Sequence, residues 1–241
     1  MNTKHILLTS ALVVSALAFT SCEDFFDTSS KKDLNTETAY SNLESAEMAL
    51  VGCYDGWQRT ISDEGVGMYL LAEFASEQAF AGLGLSDAKN NNVIDQFNLG
   101  IAPSYNDIFN VDWQNYYKAI FRCNQLIVQE ENIDWAGDIK AQGRVMGEAH
   151  AIRGILYFDL VRMFGDVPLL TAPSEENIPR SPASDVYQLI FEDFKYAIEH
   201  IPADAYPLDN NDTNDGRITK YAAEALMARA YLYHTGTLNS V

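Results

Sequence analysis

The stretch from Gly147 to Leu170, GEAHAIRGILYFDLVRMFGDVPLL, constrains the fold more than any other part of the chain. Ala149, Ile152, Leu156, Leu160 and Phe164 recur at steps of three and four, which puts them on one face of an α-helix. A stripe of that length predicts a core helix. Gly165 offers the positive φ at which a helix can end, and Pro168, which has no N–H, cannot continue it. Arg153, Asp159 and Arg162 fall mainly off the stripe and predict a solvated or partner-facing side.

Other segments repeat the helical period. From Ser41 to Gln58 the apolar positions Leu43, Ala46, Leu50, Cys53 or Tyr54, and Trp57 form a face, and Ser41 with Glu44 has the spacing of a capping box. A second helix is predicted from Met68 to Phe80, with Leu70, Phe74 and Phe80 inward. Glu73 and Glu77 stand one turn apart there, but no histidine or third acid accompanies them, so they read as a solvated face. Trp113, Tyr116, Tyr117, Ile120, Asn124 and Ile127 form the next stripe, in which Trp113 and Tyr117 read as packing residues. The following helix begins at Gly137 and Asp138 and pairs antiparallel with it. Pro179 to Pro202 carries a stripe from Val186 to Ile201, entered through Ser181 and Pro182. Thr219 can cap a last helix, in which Ala222, Ala225, Ala228 and Ala230 permit close approach of a neighbour.

Residues 81–111 break both periodicities through Gly82, Gly84, the Asn90 to Asn92 run, Gly100 and Pro103, which predicts a long loop region. Phe97, Asn98, Tyr105, Asn106 and Phe109 are residue types suited to sugars, whose rings offer an apolar face for stacking and hydroxyls for amide hydrogen bonds. Tyr105, Asn106 and Phe109 are the candidate ligand residues, because they lead into the Trp113 helix.

Several function classes are disfavoured. The net charge of −18 argues against a nucleic-acid binder, whose affinity rests on clustered Lys and Arg, and against adhesion to anionic headgroups by charge. The histidines His5, His150, His200 and His234 are scattered; HExxH, GxSxG and P-loop patterns are missing, so no enzyme, cofactor or catalytic residue is predicted. Asp209 to Gly216, DNNDTNDG, suggests a calcium loop. In that register, however, Ala222 falls where a bidentate Glu is required, so it reads as a solvated turn with no metal.

The N-terminus reads as a targeting segment. Lys4 and His5 precede an apolar run from Ile6 to Phe19, too short to span a bilayer, and Thr20-Ser21 lead into Cys22. This predicts a signal peptide over residues 1–21. Residues 22–40 follow as a polar tether, and 41–241 as the folded part. Cys53 and Cys123 fall on apolar faces, where a thiol packs like a small hydrophobe; one disulfide between them is possible in an oxidising compartment.

Four stretches together carry a family resemblance. G-E-A-x-A-x-R-x-x-x-Y-F-x-L-V-R-x-F-G-D-V-P-L from Gly147 resembles the signature helix of the SusD/RagB-type nutrient-binding lipoproteins. WQNYYKAIFRCN from Trp113, the Pro179 to Pro202 segment, and GRITKYAAEALMARAYLY from Gly216 are similar to further helices of that family. The resemblance implies an all-α fold of tetratricopeptide-like stacked helical hairpins with long loop insertions. It also implies a cell-surface protein of the outer membrane that passes an oligosaccharide or other nutrient to a TonB-dependent transporter. Cys22 after Thr20-Ser21 resembles a lipobox, with Phe19 where Leu is usual, and would carry the lipid anchor; ordinary secretion with Cys22 left as a thiol is the alternative. Family members are much longer, so the chain resembles their N-terminal half. A helical scaffold lipoprotein that binds a protein partner and no small ligand is the second reading.

Overall fold

The computed structural model describes residues 40–62, 66–76, 78–82, 89–98, 100, 109–174, 176–206 and 216–237, all within one compact unit, Thr38–Val241. The architecture is all-α. Seven helices follow one another among the described residues: α1 (Leu43–Ser62), α2 (Gly67–Ala75), α3 (Lys89–Asp95), α4 (Asn110–Ile127), α5 (Ile139–Phe164), α6 (Ala183–His200) and α7 (Lys220–Thr237). α1 packs on α4, α5 lies against α1, α4 and α6, and α7 covers α6, which gives a stack of paired helices. None of the described helices is long and apolar enough to cross a membrane.

α5 is the centre of this stack, and its sequence explains why. Beyond the predicted stripe, Val145, Met146, Ala151, Ile155, Tyr157 and Phe158 are also buried, so the helix is covered on nearly every side. Burying each large side chain contributes roughly 1.5–3 kcal/mol against the entropy of ordering it. Its start is fixed by Asp138, whose carboxylate accepts the Ala141 N–H at 2.9 Å. α6 approaches through glycines: a Cβ at Gly143 would lie 2.5 Å from the His200 carbonyl oxygen, and one at Gly147 would lie 2.5 Å from Ile201 Cγ1.

Three expectations need correction. The cap of α1 is Asn42, not Ser41: Asn42 Oδ1 accepts the Ser45 N–H at 3.0 Å, and Ser45 Oγ accepts the Asn42 N–H at 3.0 Å. Second, α2 stops at Ala75 and leaves Phe80 86 % exposed; the Gln78 and Ala79 N–H groups both turn back to the Glu73 carbonyl and close the helix early. The 81–111 stretch is not all loop either. Lys89–Asp95 is helical because Val93 and Ile94 bury themselves, Ile94 with Val66, Phe74 and Ala81, a gain outweighing the poor helix propensity of the asparagine run.

The side predicted to be solvated or partner-facing is instead a set of buried and half-buried ion pairs. Arg153 is 4 % exposed and Asp193 1 %. Asp159 binds Arg162 and accepts from the Tyr116 hydroxyl at 3.0 Å. Glu148, the acid of the signature, is fully buried and accepts from the hydroxyls of Tyr54 at 2.6 Å and Tyr206 at 2.5 Å, with Arg144 and Arg217 completing its shell. Burial and the adjacent Glu148 carboxylate push the Tyr206 phenol up to about 12, so it remains a donor. Helical periodicity reports direction from one axis; it does not show that α1, α4, α6 and α7 surround α5 and bring matching charges.

Candidate functional site

The chain leaving α5 forms no helix or strand among its described residues from Pro168 to Arg180, so its backbone groups need other partners. α4 and α5 supply them. The Tyr117 hydroxyl donates to the Pro168 carbonyl at 2.8 Å. Tyr157 Oη donates to the Leu170 carbonyl at 3.0 Å and accepts the Leu170 N–H at 2.7 Å. Asn124 Nδ2 donates to the carbonyls of Leu170 at 2.9 Å and Ala172 at 3.4 Å, and Arg153 Nη1 reaches the Thr171 carbonyl at 3.5 Å. At the start of the segment, Asp166 Oδ1 accepts the Ala183 N–H at 2.9 Å and so caps α6, a role expected of Ser181.

An ionic centre holds those side chains in turn. Arg153 grips Asp193 through Nε–Oδ2 at 2.9 Å and Nη2–Oδ1 at 2.7 Å, and donates to Asn124 Oδ1 at 2.8 Å. His150 Nδ1 lies 2.6 Å from the same Asp193 carboxylate. Burial disfavours the charge on Arg153, but Asp193 outweighs it and raises the guanidinium pKa. Motif residues far apart in sequence thus have one joint task, which is to fix the extended segment beside α4.

Between α4 and this segment runs an open groove, with one cavity of about 610 Å³ and an adjoining one of about 480 Å³. Trp113, Tyr117, Leu170 and Ser174 line both. The Trp113 and Tyr117 ring centroids are 4.9 Å apart with planes tilted 43°, so the pair forms an angled aromatic wall. Phe164 meets Trp113 edge-on at 5.2 Å, and the Arg180 guanidinium stands 5.4 Å from the indole centroid, which fixes the wall from two sides. Burial raises the Tyr117 phenol pKa, so its hydroxyl stays protonated and keeps its bond to Pro168. Lys118, Arg122 and Asn177 add polar groups to the lining. Such a wall can stack on the apolar face of a ring while the polar groups hydrogen-bond its hydroxyls.

Of the residues expected to bind ligand, Phe109 is half-buried, directly precedes α4, and stands edge-on to Phe164 at 6.0 Å. Tyr105, Asn106 and Cys22 lie outside the described residues, as do residues 209–215 of the acidic turn. Phe97 has a positive φ of 48° and is exposed, while Asn98 Oδ1 accepts the Gly100 N–H. Trp113, expected only as a packing residue, packs on the edge of the core and also faces the groove. The signal for this was present in the steps Trp113–Tyr117–Asn124, but a partner segment from residues 168–174 was needed to turn one helix face into a groove. No cluster of His, Cys, Asp and Glu suited to a metal occurs among the described residues.

Fold and groove together define an all-helical scaffold with an open, aromatic-walled groove. The chain belongs to the SusD-like family: the family model described as starch-binding associating with outer membrane matches residues 24–232. A SusD-like protein of Formosa agariphila, P38, is 24 % identical over 95 % of this chain and 42 % of its own length. Among solved structures, a laminarin binding SusD-like protein has a TM-score of 0.64 at 29 % identity, over 81 % of this chain and 41 % of that one. A SusD homolog from Bacteroides thetaiotaomicron has a TM-score of 0.66 at 27 % identity, over 83 % and 37 %. The chain therefore spans less than half the length of these relatives.

Proposed function

We propose that this protein binds a glycan in the groove along α4 and delivers it, at the cell surface, to a TonB-dependent outer-membrane transporter. The observation that carries the reading is the Trp113–Tyr117 wall beside a segment fixed by Tyr117, Asn124 and Tyr157. Membership in a family described as starch-binding, and the name of the laminarin binding neighbour, support a carbohydrate as the ligand class. Tyr105, Asn106 and Phe109 precede this wall in sequence and are proposed to extend it. Lipidation of Cys22 is proposed as the anchor that keeps the domain at the outer membrane.

The test is affinity electrophoresis of the protein through gels containing laminarin, starch or other neutral polysaccharides. Retardation by at least one glycan, weakened in Trp113→Ala and Tyr117→Ala, is expected. A folded wild type that migrates unretarded through every gel would refute the glycan reading and favour a helical scaffold for a protein partner.

A further inference from the structure

The α1–α4 interface contains a pair of groups for which glycan binding has no use. Cys53 on α1 and Cys123 on α4 are both free, both fully buried, and members of the same core cluster where these two helices pack. The register around them is fixed on both sides. Arg122 Nη1 donates to the Gly52 carbonyl at 2.9 Å and pairs with Asp55 at 2.6 Å. One turn further along, a Cβ built on Gly56 would lie 3.0 Å from the Ala119 Cβ. Arg122 reaches across to the turn from 52 to 55, and 56 faces 119, so the two helices run in opposite directions and 53 falls opposite 123. Gly56 and Ala119 lack bulk, and this lets the backbones approach toward the separation that a disulfide requires, with Cβ atoms about 4 Å apart.

We infer that Cys53 and Cys123 form a disulfide when the chain folds in an oxidising compartment, covalently joining α1 to α4. This rests on the exported, Cys22-anchored reading. With Cys22 committed to lipid, Cys53 and Cys123 remain as the two buried thiols where α1 packs on α4. The chemistry is thiol–disulfide exchange with an exported protein disulfide. One cysteine thiolate, having lost its proton, attacks that disulfide to give a mixed disulfide; the second thiolate then displaces it. The Cys53–Cys123 bond forms, and the donor leaves as a dithiol that has taken up both protons and both electrons. Burial, reinforced by Cys53, pushes the Cys123 thiol well above its ordinary value, and both thiols are shut away from solvent, so the folded pair exchanges slowly. Oxidation therefore belongs to folding, and once formed the bond is protected. It closes the segment carrying α2 and α3, which precedes the groove wall on α4.

Two arms test this separately from the export reading. In the first, the purified full chain is denatured, reduced and refolded in a reduced/oxidised glutathione buffer, then trapped with N-ethylmaleimide under denaturing conditions and analysed by peptide mass spectrometry. A linked Cys53–Cys123 peptide is expected, with a melting temperature roughly 10 °C above that of the same protein denatured and refolded in reductant. Stoichiometric maleimide on both cysteines would overturn the inference. Cys53→Ser should abolish the reductant-dependent shift; a shift that persists in that variant would also overturn it. The second arm fractionates cells expressing the chain with its own leader and applies the same trapping. Linked peptide in the envelope fraction supports the inference, and free thiols there overturn it. A chain found in the cytoplasm would sink the export reading, and the refolding arm alone would then decide the pairing.

Discussion

Arg153→Met tests whether the buried ionic centre organises the site. Methionine keeps much of the volume but removes the guanidinium, so Asp193, 1 % exposed, keeps only His150, while Asn124 Oδ1 and the Thr171 carbonyl each lose a donor. Removing one partner of a buried pair costs about 3–5 kcal/mol, because the remaining charge stays desolvated. For a domain of this size that is a fall in Tm of roughly 6–20 °C. The double change Arg153→Met/Asp193→Leu removes the stranded charge and should recover at least half of the loss, since apolar replacement of both partners is often close to neutral. Urea denaturation followed by far-ultraviolet circular dichroism measures both. A single variant within about 1 kcal/mol of wild type, or a double variant no more stable than the single, would refute the reasoning.

Leu156→Ala, at the centre of the core, should cost about 2–5 kcal/mol, whereas Met48→Ala on an exposed face should cost under about 0.5 kcal/mol; equal urea midpoints would mean the helix faces are misassigned. Gly143→Ala should destabilise by about 1–3 kcal/mol because its Cβ meets a backbone carbonyl that cannot swing aside, and a thermal melt matching wild type would contradict the close α5–α6 contact. Burial raises the Asp159 carboxyl above its ordinary value, against the opposing pull of Arg162 and Tyr116. The native state therefore holds this proton where the unfolded chain has lost it, so the contribution is complete below the unfolded pKa and fades as pH rises through the folded one. The stability of wild type relative to Asp159→Asn should accordingly fall from acid toward neutral pH, and a difference that grows with pH would contradict it.

Helix faces were legible in the sequence because a period of three and four needs no knowledge of neighbours: the stripe from Ala149 to Leu160 and that from Val186 to Ile201 are both core. Helix ends were less so. Ser41 with Glu44 and Asn42 with Ser45 are both capping patterns, and only the observed hydrogen bonds distinguish them. The groove was the least legible part, since it arises where Tyr117, Asn124 and Tyr157 meet carbonyls distant in sequence. Arg153 was misread for the same reason: a charge off the stripe is solvated only if nothing opposite it carries the counter-charge, and Asp193 does.

The central claim, that the α4 groove is where glycan binds, is tested most directly by isothermal titration calorimetry on Trp113→Ala, using whichever polysaccharide retards the wild type. Losing one stacking ring should remove about 1–2 kcal/mol of binding, a weakening of roughly 5- to 30-fold, with the helical circular-dichroism signal retained. Unchanged affinity in a folded Trp113→Ala would contradict the account and place the ligand surface elsewhere.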